Sequence, residues 1–324
     1  MFGPLVNRAM NILVTGASGI IGLKLVEYFA KNTHATIDAT YLSSRQQLNK
    51  LSSIYPGRIN ISHYHRIIEQ CNPSTYDEIW HFATYGQPAR FIDSWQQVVD
   101  LNSQHIIFLS KLLKKGGKFH FASTSELYSS SSRATEDATP ASKPSGPRSI
   151  YTESKRLGES ICTTLFPQEC HLIYRICLAY SENFRFDDRR VLYELTMKGL
   201  IDKSISLLDK GTAKRQYIYV DDAVRMMIDL SRDNRRLMYP DSVFNIANHD
   251  QITIYDLATQ LANIIGCTVS PGKFENALGA LDSVEVLPKR YLELFPDFRF
   301  TSLSDGLKAV IDNAKIIAKQ ISQV

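Results

Sequence analysis

The segment Thr15-Gly16-Ala17-Ser18-Gly19-Ile20-Ile21-Gly22 constrains the fold more than any other part of the chain. It follows an apolar run, Asn11–Thr15, that reads as a short buried strand. It precedes Leu23–Lys31, where Leu23, Val26 and Ala30 share one helical face. Glycines at 16 and 19 permit a tight turn and let backbone N–H groups approach a pyrophosphate, with the helix N-terminus facing the charge. Gly22 is expected to let the helix pack close to the sheet. The spacing is Gly-x-x-Gly-x-x-Gly, not the commoner Gly-x-Gly-x-x-Gly. Its place between strand and helix makes Gly16, Ser18, Gly19, Ile20 and Gly22 candidate cofactor contacts.

The same alternation continues downstream. Ala35–Leu42, Glu78–Ala83, Lys118–Ser123 and Cys170–Ala179 read as strands, and Gln97–Leu113 supplies a long helical pattern expected to stop at Gly116-Gly117. Ser129–Arg148 reads as a loop, and a helix begins near Ile150. Strands alternating with helices predict an α/β fold: a Rossmann-type doubly wound parallel sheet with a smaller C-terminal substrate lobe. The expected division is a dinucleotide-binding domain over 10–180 and a mainly substrate-binding lobe over 181–324, with chain crossings between them. Ser302–Ile321 reads as a final helix, with Ser302 and Asp305 in capping-box spacing.

Composition narrows the function. With 324 residues, 44% of them hydrophobic and 22% charged, the chain is an ordinary globular one with ample core. A net charge of +4 is too weak to argue for nucleic acid but suits an anionic substrate. The five cysteines, Cys71, Cys162, Cys170, Cys177 and Cys267, form no CxxC or His-paired pattern, so no metal is expected and a reducing cytoplasm is the simplest compartment. No apolar run approaches the roughly 20 residues that span a bilayer, so no membrane association is expected. Met1–Ala9 lacks the sustained apolar stretch of a secretory signal, and Met10 stands directly before the first strand as an alternative start.

A dinucleotide site that prefers NAD usually places an acid at the end of the second strand, to bond the adenosine ribose. Here Asp38 lies too early, and the strand runs out through Ser43, Ser44 and Arg45. A guanidinium pairs with phosphate in bidentate fashion, so Ser44 and Arg45 incline the NAD(P) reading toward NADP.

Of the sixteen tyrosines only Tyr151 has a lysine four residues on, Lys155. On a helix that spacing puts both on one face. An ammonium beside a phenol favours the phenolate, so Tyr151 is a candidate general base. Upstream, Ala122-Ser123-Thr124-Ser125-Glu126-Leu127-Tyr128 places the Thr124 hydroxyl at the C-terminal end of a strand, where α/β sheets hold ligands.

Taken together, Thr15–Gly22, His81-Phe82-Ala83, Asn102, Ser123–Tyr128, Tyr151–Lys155, Arg215-Gln-Tyr-Ile-Tyr-Val-Asp-Asp222 and Phe244-Asn-Ile-Ala-Asn248 resemble the extended short-chain dehydrogenase/reductases of the nucleotide-sugar epimerase/dehydratase type. The resemblance runs from about Asn11 to Leu307. It implies an NAD(P)-dependent, homodimeric enzyme acting on a nucleotide-diphosphate sugar through a transient 4-keto sugar. Dimerisation would use Gln97–Leu113 and Tyr151–Leu165. Under this resemblance Tyr151 removes a proton from the sugar hydroxyl, commonly at C4. Lys155 binds the nicotinamide ribose, Thr124 bonds the reacting oxygen, and Ala83 lies along the cofactor. Asn102 has a structural role, and Arg190 and Arg215 pair with the diphosphate or an acidic sugar group. Glu126, two residues after Thr124, points to dehydratases and UDP-glucuronate decarboxylases more than to simple 4-epimerases, because a carboxylate can move a proton beside a 4-ketone.

Several positions depart from the family pattern. Ser129 replaces a glycine, and Arg175-Ile-Cys-Leu-Ala-Tyr-Ser-Glu182 has Leu178 where an asparagine commonly contacts substrate. Asn60-Ile-Ser-His-Tyr-His65 lacks the usual aspartate near the adenine. An NADPH-dependent 4-keto-sugar reductase and a non-catalytic dinucleotide sensor are the other readings the sequence admits.

Overall fold

The computed structural model describes residues 10–70, 72–85, 90–128, 133–140, 145–146, 148–275 and 284–321. The first strand is buried from both sides, with Ile12, Leu13 and Val14 all 0% exposed, which is why it reads as a continuous apolar run and not as an alternating one. In chain order β1 (Asn11–Thr15), α1 (Ile20–Asn32), β2 (Thr36–Tyr41), α2 (Gln46–Ile54), β3 (Ile59–His63), α3 (Tyr64–Gln70) and β4 (Tyr76–His81) build the first half of the sheet. Next come α4 (Arg90–Asp93), α5 (Trp95–Asn102), α6 (Gln104–Ser110), β5 (Leu113–Thr124), β6 (Arg133–Ala134), α7 (Ser149–Leu165) and β7 (His171–Ile176). The remainder runs β8 (Leu178–Tyr180), α8 (Val191–Ile201), β9 (Ser204–Ser206), β10 (Lys214–Tyr219), α9 (Val220–Arg232) and β11 (Val243–Ile246). It ends with β12 (Gln251–Thr253), α10 (Ile254–Ile265), β13 (Thr268–Ser270), β14 (Glu285–Val286), α11 (Lys289–Leu294) and α12 (Leu303–Ile321).

Among the described residues seven strands form one sheet in the order β11-β7-β5-β4-β1-β2-β3, with every pairing parallel. Strand order reverses between β1 and β4, where Thr15 pairs with His81. A crevice at the carboxyl ends of the strands opens at such a switch point. One face of the sheet is covered by α1 and α9, with Val14, Phe29, Trp80, Tyr174, Met226 and Leu230 in a single buried cluster. The other face is covered by α5, α6 and α7, where Leu13, Ile79, Phe119, Phe121, Ile106 and Cys162 pack. A separate cluster, including Phe184, Tyr193, Ile205, Leu257, Leu261 and Ile311, ties α8, α10 and α12 together. α12 starts as its sequence suggests: Asp305 N–H donates to Ser302 Oγ at 3.1 Å, and Ser302 Oγ donates to the Asp305 carboxylate at 2.7 Å.

Two expected elements are divided. The helix predicted over Gln97–Leu113 breaks at Ser103, whose backbone (φ −137°, ψ −82°) is not helical. The Leu101 carbonyl is taken by the His81 ring at 2.7 Å and leaves the helical ladder. The helix then ends at Ser110, and Gly116-Gly117 lies inside β5, which starts at Leu113. The strand predicted over Cys170–Ala179 ends at Ile176, and β8 belongs to a second sheet beside β10. Cys162, Cys170 and Cys177 are free and buried. Among the described residues no helix is long and apolar enough to cross a membrane.

Candidate active site

The glycine turn leaves β1 directly under the crevice. Gly16 has φ +68°, and a Cβ there would meet the Phe82 carbonyl oxygen at 2.6 Å and the Ala83 nitrogen at 2.7 Å. The turn therefore presses against the backbone that follows β4. Gly22 has a different neighbour from the one expected. A Cβ on it would come 2.3 Å from the Gly16 carbonyl oxygen, so the third glycine packs α1 onto the turn itself and not onto the sheet. Ala17 N–H donates to the Thr40 carbonyl at 2.9 Å, Gly19 N–H to that of Gly16 at 2.9 Å, and Leu23 N–H to that of Gly19 at 2.8 Å. The first turn of α1 carries no acidic side chain, and Ser18 and Ile20 are half-buried around it. Its free N–H groups suit a pyrophosphate.

His81 fixes the other wall. Its Nε2 must donate, because Leu101 offers only a carbonyl. Nδ1 therefore accepts from the Thr15 hydroxyl at 2.7 Å, and Thr15 Oγ1 accepts from Ala83 N–H at 3.3 Å. Burial pushes the His81 pKa down to about 3, so the imidazole stays neutral and this tautomer is locked. The chain Ala83–Thr15–His81–Leu101 orients the backbone at the end of β4.

The reacting end lies at the end of β5. Thr124 is buried, and its Oγ1 accepts from Glu126 N–H at 3.2 Å. Tyr151, near the start of α7, shares a side-chain hydrogen bond with Thr124. Lys155, one turn on, is 1% exposed and donates to the Ala122 carbonyl at 2.6 Å. Its Nζ lies 4.9 Å from the Phe121 ring centroid and 5.9 Å from that of Tyr151. Thr124, Tyr151 and Lys155 thus meet as the sequence predicts. The electrostatics differ. Burial and then Glu126 raise the Tyr151 pKa, against the Thr124 hydrogen bond and Arg148. Burial pushes the Lys155 pKa down to about 7. The protein's own groups therefore favour a neutral phenol, because burial disfavours the charged form of both side chains.

A stability test follows from the lowered lysine. Between pH 7 and about 10.4, the ordinary lysine value, the unfolded chain binds a proton at position 155 that the folded chain does not. Stability of the wild type relative to Lys155→Met is therefore expected to rise across this window. It should be flat below about pH 7, where both states are protonated. Denaturation midpoints of the two proteins at pH 7 and pH 9.5 check the sign; a constant difference would refute it.

Glu126 accepts from Arg148 NH1 at 2.6 Å, with the Arg148 side chain 51% exposed. Sequence reasoning missed this arginine, which sits in a polar loop without periodicity. Asn102 is fully buried, and its Nδ2 donates to Ser154 Oγ at 3.0 Å, which in turn donates to the Tyr151 carbonyl at 2.9 Å. That chain braces α7 against α5. Beneath it, Arg175 holds Glu159 through Nε and NH2 at 2.9 and 2.7 Å and Tyr128 at 2.7 Å. Glu159 also accepts from Ser123 at 2.5 Å.

The remaining candidates are spread more widely. Arg190 spends Nε and NH2 on Asp188 and NH1 on the Ala179 carbonyl, so Arg190 braces its own loop. Arg215 lies on β10, and both it and Arg190 act electrostatically on the Tyr217 hydroxyl. Ser44 is half-buried and Arg45 exposed at the start of α2. The neighbouring Ser43 accepts from Arg185 NH1 at 3.3 Å, and Gln47 Nε2 donates to the Asn183 carbonyl at 3.2 Å. Asp38 is occupied inside the sheet, bonded by Tyr76 at 2.6 Å and Asn60 at 2.8 Å. Leu178 opens β8, partly exposed. Ser129 lies outside the described residues.

The chain is similar to several known proteins. UDP-glucuronic acid decarboxylase 1 of Danio rerio is 24% identical over 270 residues, covering 79% of this chain and 60% of that protein. The chain thus spans about three fifths of its length. UDP-glucuronic acid decarboxylase 6 of Arabidopsis thaliana is 26% identical, over 82% of this chain and 78% of its own. Among solved structures, the UDP-glucuronic acid 4-epimerase of Bacillus cereus in complex with UDP-glucuronic acid and NAD superposes with a TM-score of 0.77 at 23% identity. It covers 95% of this chain and 100% of its own. The family model described as NAD dependent epimerase/dehydratase matches residues 12–247, from β1 to just past β11. Since that stretch carries both the glycine turn and the tyrosine–lysine helix, the chain belongs to the NAD dependent epimerase/dehydratase family.

Proposed function

We propose that this protein is an NAD(P)-dependent enzyme that modifies a nucleotide-diphosphate sugar through a transient 4-keto intermediate, in a net dehydration, decarboxylation or epimerisation. The observation that carries the reading is the Tyr151–Thr124 hydrogen bond beside the buried Lys155, at the carboxyl edge of the sheet. Tyr151 would take the proton of the C4 hydroxyl as the phenolate, while Thr124 holds the reacting oxygen. Burial disfavours that phenolate in the protein alone, and the positive charge of an oxidised nicotinamide would favour it. Lys155 binds the nicotinamide ribose, and Glu126 moves a proton at the carbon beside the ketone. A dinucleotide held there would supply the redox chemistry, removal of hydride from C4 and its later return. The donor-rich turn at Gly16–Gly22, which admits no Cβ at Gly16, fits its pyrophosphate. Residues 10–180 serve mainly as the cofactor lobe and 181–324 mainly as the substrate lobe. Arg215 faces the diphosphate or an acidic sugar group.

Ser44 and Arg45 at the start of α2, with Arg185 reaching Ser43 from the later half of the chain, favour NADP over NAD. Exposed Trp95, Ile107, Leu157 and Leu165 on α5, α6 and α7 supply an apolar face for a homodimer. Free buried cysteines suit a reducing compartment, the cytoplasm. Denaturing the purified protein after measuring its mass in solution tests these points together. Expected are a dimer mass and a released oxidised dinucleotide that is recycled in turnover. An empty protein that consumes NADPH one for one supports a 4-keto-sugar reductase, which Arg45 also suits. Failure to bind either dinucleotide refutes the reading.

A further inference from the structure

We propose that Arg148 reads a carboxylate on the sugar, so that an acidic nucleotide sugar is the substrate; this rests on the nucleotide-sugar reading above. Arg148 immediately precedes α7, and Glu126 stands in the turn after β5. Arg148 stands three residues before Tyr151 at the head of that helix, Glu126 two residues after Thr124, and the two are joined at 2.6 Å. The ion pair therefore sits beside the two hydroxyls at which the sugar would react. A guanidinium carries five N–H donors in a planar fork. Among the described residues, the hydrogen bond to Glu126 at 2.6 Å uses only NH1. The half-exposed fork can accept a second carboxylate on its other edge.

Three other arginines interact with different partners. Arg190 has given Nε, NH1 and NH2 to Asp188 and Ala179. Arg175 is buried against Glu159 and Tyr128. Arg215 acts on Tyr217, on β10.

Charge decides what fits. If C4 sits at Tyr151, the substituent on C5 comes next to Glu126. A carboxylate there would face a like charge, which disfavours binding. A guanidinium shared by the two carboxylates converts that repulsion into two charge-assisted hydrogen bonds. A neutral hydroxymethyl group needs no such cation and gains little from one.

The test is calorimetric binding of UDP-glucuronic acid and UDP-glucose to the dinucleotide-loaded wild type, Arg148→Gln and Arg148→Lys. The wild type is expected to bind the uronate at least about tenfold more tightly than the neutral sugar. Arg148→Gln should weaken the uronate by about 10- to 100-fold and the neutral sugar by less than about threefold, while Arg148→Lys keeps part of the preference. Equal weakening of both sugars, or no change in either, overturns the proposal, since Arg148 would then act only through Glu126 or not at all. Equal binding of both by the wild type also overturns it and leaves the nucleotide-sugar reading intact. A wild type that binds neither sugar overturns the proposal, and the nucleotide-sugar reading falls with it only if dTDP and GDP sugars fail to bind as well. Arg148 is half-exposed, and an unchanged melting temperature in each variant separates lost binding from misfolding.

Discussion

Tyr151→Phe is expected to lower turnover on the order of a thousandfold, the range lost with a positioned acid–base group, while leaving dinucleotide binding and folding nearly intact. The reason is local. The substitution removes only the hydroxyl that meets Thr124, and Thr124 Oγ1 keeps its hydrogen bond from Glu126 N–H at 3.2 Å. The Phe ring fills the same space on α7, so the stability change should stay within about 1 kcal/mol. Single-turnover absorbance of the reduced nicotinamide, beside a melting curve and a dinucleotide titration, separates the three quantities. Turnover within a fewfold of wild type would remove Tyr151 from the reaction. Loss of dinucleotide binding together with turnover would instead make it a structural residue.

The second large effect is expected from Gly16→Ala. The new methyl would sit 2.6 Å from the Phe82 carbonyl oxygen and 2.7 Å from the Ala83 nitrogen, both backbone atoms that cannot swing aside, at a φ of +68°. Left-handed strain and overpacking together are expected to cost about 2–4 kcal/mol. Relief requires the turn to move away from β4, which also spoils the cradle for the pyrophosphate. The variant should therefore lose measurable dinucleotide affinity and melt earlier. Wild-type affinity in this variant would show that the turn does not hold the cofactor.

Much of this site was legible because its chemistry is local. A glycine turn between strand and helix, a hydroxyl at a strand end and a tyrosine–lysine pair at helical spacing are each defined within a few residues. What escaped is non-local. Nothing in the apolar pattern of Gln97–Leu113 reveals that the Leu101 carbonyl is bonded by His81, twenty residues earlier in sequence. The charge of Lys155 depends on its enclosure by Phe121 and Ala122, which spacing alone does not report. Arg148 looks like any loop arginine until Glu126 is brought to it. For Arg190 the residue type suggests a substrate contact, and only the fold reveals that Asp188, two residues before it, pairs with its guanidinium.

The edge strand β11 bears on how the chain acquires its shape. It pairs with β7 from Val243↔Ile173 to Ile246↔Ile176, and Asn245 within it anchors Tyr128 and Glu136 across more than a hundred residues of sequence. The sheet that carries the glycine turn therefore cannot be finished until residue 246 has left the ribosome. Contacts of such sequence separation close slowly, because the intervening chain must first give up its freedom. Until then β7 presents an open apolar edge to neighbouring chains. A nascent chain of this protein passes through a long window of aggregation risk, which ends only when its last parallel strand docks.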